Sequence, residues 1–372
     1  MASRDRPPFR FDQVGSLLRP PELRAAREQF RSGEIDAAGL RAVEDESIRE
    51  AVRRQEALGL QGITDGEFRR TFFHTDFLEQ LEGVGVRGGI TSTFHRADGG
   101  VDFAPPRLVV EGKIAHRRPI QRRDFEFLQG VTGGVAKVCI PSPTMVHFRG
   151  GREAIDAEAY PDLEEFFEDL AQCYREEIAD LASAGCTYLQ LDDTNLAYLC
   201  DPELREGARS RGDDPEALPR LYAGLINAAL RERPAEMRVT IHLCRGNFQS
   251  AWVAEGGYEP VAEVLFNELE VDGLFLEYDD ERSGDFAPLR LVPPDKVVVL
   301  GLVTSKSGAL ESKEELKRRI DEAATYVPME QLCLSPQCGF SSTEHGNQIN
   351  DADQWAKLQL VVETASEVWG AD

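Results

Sequence analysis

The feature that most constrains the fold of this chain is an alternation of short apolar segments with longer amphipathic ones. Segments such as VVVLGLV are β-branched and apolar on both faces, which is typical of parallel strands covered by helices on both sides. Strands are predicted over 9–17, 62–67, 136–142, 188–192, 238–244, 273–278, 296–303 and 331–336. Helices are predicted over 36–58, 161–184, 218–231, 259–269, 312–326 and 353–368. This alternation predicts an α/β fold, a (β/α)₈ TIM barrel.

Two regions depart from the simple repeat. Residues 84–116 are rich in Gly, Thr and β-forming residues and predict a small hairpin insertion, whereas the polar segment 201–215 predicts a long loop. No Pro/Ser-rich linker divides the chain, so we expect one domain spanning residues 1–372.

The charge of the chain bears on its partners. The formal net charge of −24 disfavours binding to phosphate backbones and anionic lipid, so neither nucleic acid nor membrane is an expected partner. The N-terminus lacks the apolar run of a signal peptide, and no apolar stretch is long enough to span a bilayer. Seven cysteines, an odd number scattered over a long chain, are typical of reduced thiols and predict a cytoplasmic location.

The sharpest local signal is the segment VTIHLC, in which His242 and Cys244 lie two residues apart. Residues at this spacing on a strand point to the same face, so both side chains can bind one metal ion. Glu277 ends the segment GLFLE and Cys338 follows the last predicted strand. In a barrel these strand ends meet at one mouth, and thiolate, imidazole and carboxylate ligands together suit Zn²⁺.

A plainer reading of this signal is that His242 and Cys244 are ordinary buried residues, because Cys often fills core positions. We assign that role to the other cysteines, which are Cys139, Cys173, Cys186, Cys200 and Cys333. The chain has no CxxC pair of the kind that structural zinc favours. The predicted zinc is therefore catalytic and activates a substrate thiol.

Acidic residues also follow predicted strands. Glu67 ends TDGE, and Asp192 and Asp193 end LQLDD. Such carboxylates act as acid/base groups, as metal ligands or as a clamp for an ammonium group. Helix capping is the alternative, and for Asp193 it is as well supported as a functional role. Near the N-terminus, Ser16 in VGSLLRP offers backbone N–H groups that suit a carboxylate, although this signal is weak alone.

Seven segments in this order along the chain carry a family resemblance: VGS, TDGEFRR, KVCIPSPTM, LQLDD, IHLCRGN, FLE and SPQCGF. Together they resemble the C-terminal catalytic barrel of cobalamin-independent methionine synthase, especially its short single-barrel relatives. The resemblance implies methyl transfer from 5-methyltetrahydrofolate, or a related donor, to the thiolate of homocysteine, which gives methionine.

The resemblance also implies roles for individual residues. Glu67 and Asp192 match the positions that hold the ammonium group of homocysteine, and Ser16 matches the position whose backbone meets its carboxylate. The implied zinc ligands are His242, Cys244, Glu277 and Cys338. Lys306 stands where the family has a histidine that relays protons, so Lys306 is a predicted catalytic residue that departs from the pattern.

Several alternatives stay open at this point. The departures from the family pattern, including the missing N-terminal barrel, concern the methyl donor, so methylcobalamin or a corrinoid protein is an alternative donor. An enzyme that joins coenzyme M to an epoxide is a second alternative, in which Lys306, Arg69 and Arg70 bind an anionic group. A decarboxylase resembling uroporphyrinogen decarboxylase and a non-enzymatic zinc-binding barrel are less favoured.

Overall fold

A computed structural model, which describes residues 4–89, 92–96 and 99–370, places a curled parallel sheet at the centre of the molecule. The strands are, in chain order, β1 (Gly62–Ile63), β2 (Glu82–Arg87), β3 (Ser92–Phe94), β4 (Val101–Phe103), β5 (Arg107–Ala115), β6 (Val135–Pro141), β7 (Tyr188–Asp193), β8 (Arg238–Leu243), β9 (Gly273–Glu277), β10 (Val297–Val303) and β11 (Leu332–Pro336). The central sheet has the order β1-β6-β7-β8-β9-β10-β11, and every neighbouring pair is parallel.

The N-terminal segment occupies the eighth position and closes the sheet. Phe11 forms a parallel bridge with Leu334 of β11, and on the other side the Thr64 hydroxyl donates to the carbonyl of Gly15 at 2.7 Å. The predicted strand over 9–17 is reduced to that single bridge, because the Asp12 carboxylate accepts hydrogen bonds from the amides of Phe9 and Gln13. The predicted α/β barrel is otherwise confirmed.

Helices cover the outside of the sheet. They are α1 (Pro21–Arg31), α2 (Ala37–Ala57), α3 (Thr75–Leu78), α4 (Arg122–Val131), α5 (Leu163–Ser183), α6 (Asn195–Tyr198), α7 (Pro202–Ser210), α8 (Leu218–Leu230), α9 (Lys313–Ala323) and α10 (Asp351–Trp369). Side chains of Asp36, Asp162 and Ser312 cap the starts of α2, α5 and α9, as Asp and Ser commonly do. None of the helices in the described residues is long and apolar enough to cross a bilayer.

Two sequence predictions about helices are wrong. The segment 201–215 is not a long loop, because Asp201 caps α7 by accepting from the amides of Glu203 and Leu204, and Pro202 suits its first turn. The segment 259–269 forms a 3₁₀ turn and a π-helical turn, Val264–Glu268, instead of an α-helix. The side chain of Asn227 binds the carbonyl of Glu268 and the amide of Glu270, which fixes where that turn ends.

The predicted hairpin insertion is confirmed as two antiparallel pairs, β2 with β5 and β3 with β4. It leaves the barrel after α3 and returns before α4. The backbone of His95, just after β3, exchanges two hydrogen bonds with Trp252 in the loop after β8, at 2.6 and 2.8 Å. The insertion therefore caps the end of the barrel where the β8 loop emerges.

A buried ionic network fastens the N-terminal segment inside the barrel. Lys137 of β6 and Asp12 are both fully buried, and their side chains lie 3.3 Å apart. Lys137 also donates to the carbonyl of Gln13, while the Tyr188 hydroxyl donates to Asp12 at 2.8 Å. The Lys137 ammonium lies 4.2 Å from the centre of the Phe275 ring. The network therefore joins the N-terminal segment to three strands.

We predict that Lys137→Met lowers the free energy of unfolding by about 3–5 kcal/mol, because it leaves the Asp12 carboxylate buried without a cation. Urea denaturation measures this change. Lys313→Met is the matched control, since Lys313 pairs with Glu363 and Glu367 at the surface and its loss should cost at most about 1 kcal/mol. Equal losses in the two variants would contradict a special role for the buried pair.

Candidate metal centre and substrate cavity

Four side chains meet at the carboxyl end of the barrel. His242 lies in β8 and Cys244 just after it, Glu277 ends β9, and Cys338 follows β11 by two residues. One ligand atom from each lies within 4.8 Å of the others, and all four residues are buried. The two sulfur atoms are 3.5 Å apart. The structure thus brings together the residues that the sequence singled out as zinc ligands.

The chemistry of this cluster fits a zinc ion. Both ring nitrogens of His242 are buried without a hydrogen-bond partner among the described residues, a costly arrangement unless a ligand satisfies one of them. The hydrogen bond from Cys244 and the proximity of His242 lower the pKa of the Cys338 thiol well below its usual range. A thiolate, a second sulfur, an imidazole and a carboxylate are a donor set that Zn²⁺ prefers.

Hydrogen bonds orient Glu277. Its carboxylate accepts from the amide of Arg245 at 3.1 Å and from the guanidinium of Arg282 at 3.3 Å. The Tyr258 hydroxyl accepts from the backbone amide of Glu277 at 3.0 Å. Such outer partners hold a carboxylate ligand in place and are part of a metal site.

An acidic pair lies in the same cavity. Ligand atoms of Glu67, Asp192 and Cys139 lie within 4.8 Å of one another. Burial, reinforced by the charge of Glu67, raises the pKa of Asp192 to about 7. Gln190 donates to Asp192 at 2.8 Å and holds its carboxylate in place. A buried carboxylate pair of this kind gains from a cationic ligand, because a positive charge relieves their mutual repulsion.

The backbone around Glu67 is strained. Glu67 has a φ of 56°, a conformation that non-glycine residues rarely adopt and that concentrates at functional sites. Opposite it, Gly15 has a φ of 147°, and a Cβ there would lie 2.5 Å from a carboxylate oxygen of Glu67. Arg70 donates to Glu67 at 2.5 Å and to the carbonyl of Ser342 at 2.8 Å. Arg70 therefore fixes the position of the Glu67 carboxylate in the cavity.

Ser16 lines the cavity and is bound to the loop that carries Cys338. The Ser16 carbonyl accepts from the amide of Phe340 at 2.9 Å, and the Ser16 hydroxyl accepts from the amide of Ser341 at 3.3 Å. A Cβ on Gly339 would lie 2.0 Å from the Ser16 hydroxyl, so only glycine permits this approach. The N-terminal turn and the Cys338 loop are thus held as one unit.

Two other predicted residues have different surroundings. The Lys306 ammonium is buried without a hydrogen-bond partner in the described residues, and its charge contributes to lowering the pKa of Cys338. Lys306 is not among the described residues that line the cavity. Asp193 accepts from the Thr144 hydroxyl and from the amide of Leu196. The bond to the Leu196 amide agrees with helix capping, the alternative to a functional role for Asp193.

The roof of the cavity is aromatic and was not predicted. Phe103 and Phe248 stack with ring centres 3.8 Å apart, and Phe94 packs against both. Arg149 also lines the cavity, which has an empty volume of about 650 Å³ including its part open to solvent. The signal for these residues was weak, because Phe94 and Phe103 come from the insertion and Phe248 from a loop.

Comparisons with known proteins agree with this architecture. Residues 11–366 match the family model described as the cobalamin-independent synthase catalytic domain. The chain is 46% identical over 371 residues to the uncharacterized protein YxjH of Bacillus subtilis (strain 168), with 97% of this chain and 95% of the relative covered. A structure from Listeria monocytogenes, provisionally described as a vitamin-B12 independent methionine synthase, superposes with a TM-score of 0.78 at 40% identity, covering 99% of this chain and all of that one.

A more distant relative has a named activity. The chain is 25% identical over 348 residues to the 5-methyltetrahydropteroyltriglutamate–homocysteine methyltransferase of Thermosynechococcus vestitus (strain NIES-2133 / IAM M-273 / BP-1). The match covers 92% of this chain but only 41% of that enzyme, so the chain spans less than half the length of this relative.

We predict that Cys338→Ser lowers the zinc content from about one ion per chain to far less, because a thiolate ligand is lost. Atomic emission spectroscopy after dialysis measures the content, and circular dichroism checks the fold. Cys333→Ala is the matched control, since Cys333 is equally buried only five residues earlier yet lies outside the cluster. Unchanged zinc in the Cys338 variant would refute the ligand assignment.

Proposed function

The chain belongs to the family of cobalamin-independent synthase catalytic domains, and we propose that it is a zinc-dependent methyltransferase that converts homocysteine to methionine. The observation that carries the proposal is the convergence of two sites in one cavity. A cluster suited to zinc, His242, Cys244, Glu277 and Cys338, opens onto the same space as the Glu67 and Asp192 carboxylates. A thiol that also carries an ammonium group matches both.

In this proposal the four ligands hold zinc, which when bound lowers the pKa of the substrate thiol and supplies a thiolate nucleophile. Glu67 and Asp192 bind the ammonium group of homocysteine, and Arg70 keeps the Glu67 carboxylate in position. The turn at Gly15 and Ser16 binds the carboxylate through backbone N–H groups. These contacts fix the amino acid so that its sulfur faces the roof of the cavity.

The methyl group is then transferred in one displacement. A carbon–sulfur bond forms while the bond between the methyl carbon and the donor nitrogen breaks, and the nitrogen keeps the electron pair and takes up a proton. The buried charge of Lys306, near the sulfur ligands, favours the anionic form of those thiols before the transfer begins. The aromatic roof excludes water from the reacting atoms.

We assign these roles to one catalytic domain spanning residues 1–372 that works in the cytoplasm. All seven cysteines are free in the described residues, as a reducing compartment would keep them. The methyl donor we propose is 5-methyltetrahydrofolate or a close relative.

The proposal is tested with zinc-loaded protein, homocysteine and one donor at a time. The donors are 5-methyltetrahydrofolate, its triglutamate form and methylcobalamin, and methionine is the product measured. We expect methionine from a folate. Methionine from methylcobalamin alone would replace the folate as donor, and no methionine from any donor with zinc bound would refute the proposed function.

For the ammonium contact, we predict that Asp192→Asn raises the KM for homocysteine about 10- to 100-fold, since a charge-assisted hydrogen bond is lost. In the same variant, the ionisation of 2-mercaptoethanol to its thiolate on the zinc-loaded protein should change much less, because 2-mercaptoethanol has no ammonium group. Asp193→Asn is the control, because Asp193 accepts from the Thr144 hydroxyl and the Leu196 amide and is not among the described residues that line the cavity, so its loss should affect both thiols alike. A similar loss for both thiols in the Asp192 variant would contradict the clamp.

A further inference from the structure

Cys139, in the second half of β6, lies beside the two carboxylates of the proposed ammonium clamp. Ligand atoms of Glu67, Cys139 and Asp192 lie within 4.8 Å of one another, and none of the three residues is exposed. A Cβ on Gly15 would lie 2.5 Å from the Oε1 atom of Glu67 and 2.7 Å from the Sγ atom of Cys139, so both atoms lie over the same glycine. Arg70 binds the other oxygen of Glu67. An ammonium group is bound by the carboxylates, which leaves the thiol without a role in that contact.

A gap in the barrel wall leads to this cluster from outside. β1 pairs with β6 over two residues and ends its pairing at Ala136. Beyond that point a space with an empty volume of about 1070 Å³, including its part open to solvent, separates residues 64–65 from β6 and is lined by Cys139. Glu67 lines both this side opening and the substrate cavity, whereas Asp192 lines the cavity. The cluster therefore lies between two spaces, and an ion can reach it from either one.

A buried amide lies against the same cluster. The Nε2 atom of Gln190 donates to Asp192 at 2.8 Å and to the sulfur of Cys139 at 3.7 Å. The Oε1 atom of this fully buried side chain has no hydrogen-bond partner among the described residues. A buried acceptor without a partner is costly, and a cation bound beside it would offset part of that cost.

The thiol determines which cation suits the cluster. Burial, reinforced by the charges of Asp192 and Glu67, raises the pKa of Cys139 well above its usual range, so the thiol stays protonated when no cation is bound. A divalent cation offsets the charge of both carboxylates and replaces the thiol proton, which passes to water. One sulfur and two carboxylate oxygens suit Zn²⁺, whereas Mg²⁺ and Ca²⁺ prefer oxygen ligands alone.

We propose that Glu67, Cys139 and Asp192 form a second zinc site, separate from the four-ligand centre, in which excess zinc displaces the ammonium group of the amino acid. Water from the side opening completes the coordination of this ion. The second site stands on the cluster itself, whereas its competition with the amino acid rests on the proposed function. Zinc then has two opposite effects on the chain, because the first ion activates the substrate thiol and the second blocks the amino-acid site.

Zinc binding, measured without turnover, tests the second site. Zinc-loaded protein is dialysed against a series of buffered zinc concentrations, and the bound zinc is measured by atomic emission spectroscopy. We expect the parent to bind about one ion per chain more than Cys139→Ser, because a hydroxyl is a poor zinc ligand. The criterion is this difference, since His116, Glu177 and Asp180 form another group of possible ligands that is the same in both proteins. Equal zinc binding by the two proteins would overturn the second site.

Two variants and a second metal serve as controls. Cys186→Ala removes a buried thiol that belongs to none of the possible metal clusters in the described residues, so this variant should bind zinc as the parent does. Cys139→Ala repeats the test with a smaller side chain, and circular dichroism checks the fold of each variant. Mg²⁺ at the same concentrations should show no dependence on Cys139. A Mg²⁺ effect equal to that of zinc would overturn the role of the thiol in favour of general charge attraction.

Isothermal titration calorimetry with methionine separates this inference from the proposed function. Methionine carries the ammonium group and is the product of the proposed reaction. At a zinc concentration about ten times the dissociation constant of the second ion, methionine should bind to the parent about tenfold more weakly, and Cys139→Ser should show no such change. Equal weakening in both proteins would overturn the second site. A second ion that binds without weakening methionine would keep the metal site and count against the ammonium clamp of the proposed function.

Discussion

The buried contact between Asp12 and Lys137 is the interaction on which the rest of the structure depends. The N-terminal segment shares only one bridge with β11, so side-chain bonds replace most of the ladder that would close a regular barrel. Tyr188 of β7 adds a second strand to the same carboxylate. Closure matters for the site because this segment then carries Gly15 and Ser16 to the mouth, where they meet Glu67 and the loop of Cys338.

Charge balance would explain the surroundings of the proposed metal centre. The summed negative charge of two thiolates and a carboxylate exceeds the positive charge of one zinc ion. A substrate thiolate would add another negative charge. Uncompensated charge is costly in a buried site. The structure provides three cations nearby: Arg282 bonds to Glu277, the Arg245 guanidinium lies 4.6 Å from the centre of the Tyr258 ring, and the Lys306 ammonium is buried without a hydrogen-bond partner among the described residues. Their charges favour the anionic form of the cluster without occupying a ligand position.

The sequence predicted much of the barrel and its four proposed ligands because both follow from local patterns. Apolar strands can be recognised one at a time, and a barrel brings their carboxyl ends to one mouth, so His242 and Cys338 can be paired because each lies at the end of a predicted strand. Partnerships between distant segments leave no such local pattern. The proximity of Cys139 to the Glu67 and Asp192 pair was missed for that reason, since the sequence analysis assigned Cys139 to the core. The helix α7 was missed because its polar surface resembles a loop, although Asp201 and Pro202 are a recognisable start.

The loop after β8 joins the insertion to the proposed metal centre. In this way one short chain builds both sides of its cavity. The loop after β8 begins at the proposed ligand Cys244 and reaches Trp252, whose backbone pairs with His95 of the insertion. Between them Gln249 and Ser250 have φ values of 49° and 71°, and Asn347 binds the amide of Ser250. Strained backbone persists only where its surroundings hold it. The stack of Phe103 on Phe248 joins the same loop to the cap, so contacts of the insertion also hold the segment that follows His242 and Cys244.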